Sequence, residues 1–213
     1  MAANASLHPY CAPELPGVPA PMLDAYINRA WFDLAKQSLC WSEWQSIALR
    51  AGVATYELET PSDGAARIHL VITAQQGSNI LSPRGIEQQL MYDAAQAERR
   101  GTPNGYRLEQ NKDFIVYPIP QADDIALPIR ALVAFVPVLT ATTIPDQFAE
   151  KYLDTLVAGA KAKLMAMVGQ PWSNPQAAAY WNGVFDAGIT DAVVERMKGG
   201  TQAAITVRPR LFM

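Results

Sequence analysis

The chain has 213 residues, half of them hydrophobic, with 17 basic and 20 acidic side chains and a formal charge of −3. That length holds one domain, or one domain with a large insertion, and the apolar share is ample for a packed core. The acidic balance (pI near 5.4) argues against a dedicated nucleic-acid binder, which carries a basic face, and the longest apolar run, Ala131 to Leu139, is broken by Pro137 and too short to cross a bilayer.

The first residues, MAANASLHPYCAPELPG, lack the basic start and apolar segment of a secretory signal. Asn4-Ala5-Ser6 matches a glycosylation acceptor, and without a signal that match reads as chance. Pro9, Pro13, Pro16, Pro19 and Pro21 recur through residues 1–21, which predicts an extended arm. A helix follows over residues 22–39, with Leu23, Ile27, Ala30, Trp31, Leu34 and Ser38 on one stripe and Asp24, Asn28, Asp33 and Lys36 off it. Cys11 and Cys40 read as two reduced thiols, Cys40 serving as a small apolar residue next to Trp41.

Residues 44–138 form a β-rich insertion. Ser46–Leu49, Thr55–Thr60, Arg67–Thr73, Tyr106–Leu108, Asp113–Tyr117 and Ile129–Val138 show alternation or β-branched enrichment. In the third of these Ile68, Leu70 and Ile72 share one face, and His69 lies on the other. Ser82-Pro83 opens a short helix from Gly85 to Ala97, and Gly101-Thr102-Pro103-Asn104-Gly105 reads as a turn.

Two long helices complete the domain. The first, over residues 145–168, has Pro145 at its start and Ala149, Tyr152, Leu153, Leu156, Val157, Ala160, Leu164, Met167 and Val168 at three-to-four spacing. Gly169 and Pro171 end it. The second covers residues 174–198, capped by Ser173 or Asn174, with Ala177, Trp181, Val184, Phe185, Gly188 and Ala192 as its buried stripe. Small residues at Gly159, Ala160, Gly183, Ala187 and Gly188 let the two helices approach closely. The order predicts an α+β domain over residues 22–198: a small helical bundle with an inserted antiparallel β-structure. Residues 199–213 form a tail in which Ala203, Ile205 and Val207 alternate with polar or small residues ahead of Arg208-Pro209-Arg210-Leu211-Phe212.

Catalytic chemistry is hard to place on this pattern. Neither His8 nor His69 has a cysteine at a spacing that suggests a nucleophilic pair. There is no Cys-x-x-Cys, no His-x-x-x-His and no calcium loop, so no metal and no cofactor is expected. Asp123-Asp124 sits in a loop, and Asp186, Asp191 and Glu195 read as a solvated helix face. No catalytic residue is assigned.

Taken in order, five segments resemble the head-to-tail adaptor proteins of tailed bacteriophages, the group that includes podovirus tail tubular protein A and head-completion proteins. They are the proline-rich start leading into LDAYINRAWFDLAKQSLCW, then LSPRGIEQQL, then GTPNGY running into DFIVYPIP, then IPDQFAEKYLDTLVAGAKAKL, and finally PWSNPQAAAYWNGVFDAGI. The resemblance spans about Leu15 to Val194. It implies a structural virion protein located at the neck, made in the host cytoplasm, about twelve copies of which form a ring under the portal protein. Such a ring extends the DNA channel and meets a tail or nozzle protein, and genomic DNA passes through without specific binding. It also implies a docking role for the tail on the portal or a neighbouring subunit, through Ile205, Val207, Arg208, Arg210, Leu211 and Phe212. Two rival readings are a phage tail-associated hydrolase using carboxylates and a small cytosolic binding module.

Overall fold

A computed structural model describes residues 1–61, 65–85, 99–199 and 201. The chain is α+β and divides into two compact units, Met1–Cys40 with Pro137–Met213 and, between them in sequence, Trp41–Val136.

The first unit is mainly helical. Residues 1–21 are not extended, contrary to expectation: a 3-10 turn at Asn4–Leu7, the one-turn helix α1 at His8–Cys11 and a second 3-10 turn at Ala12–Glu14 follow one another. Pro9 and Pro13 each fall in the first turn of their element, where the missing N–H leaves no hydrogen bond unmade. Leu7, Cys11 and Leu15, four residues apart, are all buried. Asn4 is itself buried, with its Nδ2 donating to the Asp24 and Ala141 carbonyls, so the glycosylation match is sterically void. Ala2–Ala3 (β1) pairs antiparallel with Thr143–Ile144 (β9, the last strand among the described residues).

Helix α2 spans Ala20–Ser38, with Pro21 inside its first turn and Leu39 closing it in the left-handed region. Its six-residue stripe is buried as the periodicity predicts. Asn28, expected off the stripe, is buried too: its Nδ2 donates to the carbonyls of Val138 (3.0 Å) and Leu139 (2.8 Å), which fixes the chain where it re-enters this unit.

The helix expected over 145–168 is two helices, α3 at Asp146–Lys151 and α4 at Leu153–Met165, joined at Tyr152, whose φ of −111° and ψ of 26° leave the helical region. It also ends early. The N–H of Asn174 takes the Met165 carbonyl at 2.9 Å, so the Pro-Trp-Ser-Asn-Pro elbow folds back onto the helix end, and Val168 is 92% exposed. Helix α5 covers Pro175–Lys198; Asn174 caps it by accepting from the Ala177 N–H. Its buried residues are Ala178, Phe185, Ile189 and Ala192, of which Phe185 and Ala192 belong to the expected stripe, with Trp181 left at the rim. Helices α2, α4 and α5 pack against one another, and α4 is buried continuously from Leu156 to Ala162.

The second unit is built on strands. They are β2 (Ser42–Ile47), β3 (Thr55–Glu57), β4 (Ala66–Gln76), β5 (Asn79–Pro83), β6 (Gly105–Glu109), β7 (Asp113–Tyr117) and β8 (Ile129–Pro137). Among the described residues they form one seven-stranded sheet in the order β2-β8-β4-β5-β6-β7-β3. The sheet is not wholly antiparallel. β5 and β6 run parallel, Ser82 opposite Gly105, because the long connection of residues 84–104 returns the chain to the starting end. Ser82-Pro83 therefore ends a strand; the helix expected after it, to Ala97, falls on residues outside the described ones from 86 onward. β8 is buried on both faces from Val133 to Val136, as its unbroken apolar run requires of a strand covered on both sides. Phe114 stacks on Tyr106 at 5.2 Å between centroids, and Phe135 meets Trp41 at 5.9 Å. The β6–β7 hairpin turns through Gln110 and Asn111, both at positive φ, which matches the right-handed twist of the strands it joins.

Candidate functional site

The tail residues expected to dock, Ile205, Val207, Arg208, Arg210, Leu211 and Phe212, lie outside the described residues. Their point of departure is defined. Gly199 adopts φ 59° as the left-handed cap of α5, its N–H bonding to the Arg196 carbonyl at 3.0 Å. Thr201 then closes back on Lys198 through both its N–H (3.1 Å) and its hydroxyl (2.7 Å).

Several of the groups considered for catalysis have structural partners. His8 Nε2 lies 2.8 Å from Asp24 Oδ1. Cys11 is buried and Cys40 half-buried, and neither is in a disulfide. Burial pushes the Cys11 thiol up to about 11; Lys161 opposes that shift and Glu14 adds to it. A nucleophilic thiol is shifted the other way. Asp124 accepts from the Thr102 hydroxyl (2.6 Å) and the Gln121 N–H (3.1 Å), holding a turn. Asp186 accepts from Asn182 within α5. Glu195 pairs with Lys151 at 2.6 Å and accepts from the Tyr152 hydroxyl. Burial, then Cys40 and Glu195 beside it, raises the Tyr152 phenol far above its ordinary range. Among the described residues no three His, Cys, Asp or Glu side chains gather as metal ligands would, and no helix is long and apolar enough to cross a membrane.

One polar cluster was not legible beforehand. The Lys161 side chain, 7% exposed, reaches Glu14 Oε1 at 2.7 Å and sits 4.4 Å from the Trp181 ring centroid, while Trp181 Nε1 donates to Glu14 Oε2 at 3.0 Å. A lysine in the middle of a Gly-Ala helix carries no sequence signal for burial. Its partner lies 147 residues away, and it ties the N-terminal segment to α4 and α5.

One concave feature of the strand unit is an open trough of about 1030 Å³ lined by β2, β3 and the segments after them, Glu43, Trp44, Gln45, Tyr56, Glu57 and Glu59 among its residues. β2 and β3 are the two ends of the sheet, so the sheet curls until its edges face one another. The Gln45 side chain spans the gap. The Gln45 amide donates to the Glu59 carbonyl (2.6 Å) and accepts from the Glu59 N–H (3.1 Å), as an opposing strand residue would. Glu57 is 71% exposed and paired with Lys112 at 3.1 Å, which it raises by hydrogen bond and charge. The trough therefore offers carboxylates to a solvated partner; a buried catalytic acid is stripped of water.

The SU10 adaptor protein family model matches residues 6–208, nearly the whole chain and both of its units. No curated protein matches it. The chain belongs to the SU10 adaptor protein family, a family of phage head-to-tail adaptors.

Proposed function

We propose that the protein is a structural component of the virion neck that forms a ring of about twelve copies under the portal, extends the DNA channel and offers a platform to a tail or nozzle protein. The observation that carries this is the family match running from residue 6 to residue 208, through both the helical and the strand unit. The geometry supports it. His8, Asp124, Asp186 and Glu195 are taken up in hydrogen bonds and ion pairs within the fold, and Cys11 is buried, which favours a scaffold over a hydrolase. The mild acidity suits a lumen through which DNA slides, since strong positive charge would hold phosphates tightly.

In this reading the helical bundle, with the β-structure inserted in it, is the ring-forming body. The tail from residue 199 docks on the portal or an adjacent subunit: Ile205 and Val207 as strand residues, Arg208 and Arg210 through charge-assisted hydrogen bonds, Leu211 and Phe212 as apolar anchors. The test is to mix the purified chain with its portal and image the product. Closed rings seated on portals are expected; a portal left bare at saturating protein defeats the reading. A small cytosolic binding module would give no ring, and a hydrolase would release fragments from cell-wall polymer.

A further inference from the structure

The trough between β2 and β3 has the features of an unfilled strand position. Among the described residues each of these strands has a ladder neighbour on one side only. Their other edges face a common space closed at one point by Gln45 and Glu59. Free edges invite strand addition, and proteins block the unwanted kind with charge. Here acidic side chains predominate: Glu43, Glu57 and Glu59 are exposed on the trough, against Arg50 among its lining residues, and Lys112 pairs with Glu57 from beside it. Glu43 and Glu59, with Glu57 partly offset by Lys112, disfavour a second copy of the same edge and favour a cationic strand. An apolar surface accompanies them. Trp44 is 48% exposed, with the Arg130 guanidinium 5.1 Å from its ring, and Val53 is 37% exposed.

The chain itself contains a segment of the complementary kind. Between Thr201 and Met213 there is no acidic side chain; Ala203, Ile205 and Val207 alternate, and Arg208 and Arg210 follow. We infer that the β2–β3 trough of one copy receives residues 203–208 of a second copy as an added strand, with Arg208 and, just past Pro209, Arg210 meeting Glu43, Glu57 and Glu59. The inference rests on the ring-forming reading above and names its contact. A tail entering the next copy's trough is a heterologous, head-to-tail contact, and such contacts close into rings when the rotation permits. Pro209 ends the strand, leaving Leu211 and Phe212 beyond the trough for the portal.

Disulfide trapping tests this with the full chain in a Cys40→Ser background. One chain carries Ser46→Cys at the trough, another Thr206→Cys in the tail, and the two are mixed and oxidised. A heterodimer is expected. Glu43→Lys with Glu59→Lys in the trough chain should cut its yield about tenfold, and Arg208→Glu with Arg210→Glu in the tail chain should restore it. The lysine substitutions leave the Gln45 bridge intact, because that bridge uses the Glu59 main chain; circular dichroism and melting check the fold. Three results overturn the proposal: no heterodimer, a heterodimer indifferent to charge reversal, or trapping only when both cysteines sit on one chain, which would place the tail in its own trough. If trapping fails while rings still form on portals, the trough assignment falls alone; bare portals remove the ring-forming reading itself.

Discussion

Gly159 of α4 lies against the ring of Phe185 on α5 so closely that a Cβ on it would stand 2.7 Å from two ring carbons and 2.9 Å from Ala30 Cβ on α2. The three helices meet at this point because one residue has no side chain. Gly188 does the same for the α4–α5 pair: a Cβ there would be 2.3 Å from Thr155 Oγ1 and 3.0 Å from Thr155 Cβ. Gly183 on α5 faces open space. Alanine gains about 1 kcal/mol over glycine inside a helix, and overpacking costs about 1–3 kcal/mol, so the sign depends on the neighbour. Gly159→Ala and Gly188→Ala should lower the urea midpoint, and Gly183→Ala should raise it. Equal shifts at all three positions would mean the helices are not in this contact.

Leu156 is fully buried between the helices, whereas Trp181 sits at the rim of the Glu14–Lys161 cluster. Leu156→Ala should cost about 2–5 kcal/mol. Trp181→Ala loses rim packing and one hydrogen bond, and should cost about 1–2 kcal/mol. Denaturant unfolding separates the two, and a Trp181 cost matching that of Leu156 would place the indole in the core.

The Cys11 thiol makes stability depend on alkaline pH. Burial raises it from its ordinary 9.0 to about 11, so the folded chain keeps a proton that the unfolded chain releases. The stability this contributes is complete below about pH 9 and is lost as pH rises through about 11, with a span on the order of 2 kcal/mol. Cys11→Ala should flatten the fall in melting temperature across that window relative to the parent chain. Tyr152, raised the same way by burial, remains in both proteins and cancels in the comparison. Parallel pH curves for the two chains would show that Cys11 does not titrate in this range.

Much of this fold was legible where one periodicity governs. The α2 stripe, the Asn174 cap and the strands at Asp113–Tyr117 and Ile129–Pro137 follow from local pattern. What escaped depends on distant partners. The proline-rich start folds because Leu7, Cys11 and Leu15 find apolar surface, which outweighs the prolines' extended preference. On α5, Phe185 and Ala192 of the expected stripe are buried but Ala178 and Ile189 join them, since apolar residues are scattered around that helix and its pattern alone does not set the buried face. The trough escaped altogether. Glu43, Gln45 and Glu59 look like ordinary surface residues until the sheet curls and brings its first and last strands together.

The tail carries the final prediction. It leaves α5 through Gly199, which can take its left-handed turn without strain, and its last residues combine a strand-forming alternation, two arginines, a proline and two apolar side chains. Each contact it makes is modest, but around a ring the contacts act together, so their loss is multiplied. Deleting residues 201–213 should leave the melting temperature within about 1–2 °C, because the packed helices α2, α4 and α5 all lie ahead of residue 199. The same deletion should abolish decoration of portals in a pull-down. Phe212→Ala should weaken portal binding without reducing the trapped contact between copies. Arg210→Glu should weaken both, because that arginine serves the strand contact on which ring closure depends. If the truncated chain decorates portals as well as the full one, the tail is a solvated end and the ring is held by its helical body alone.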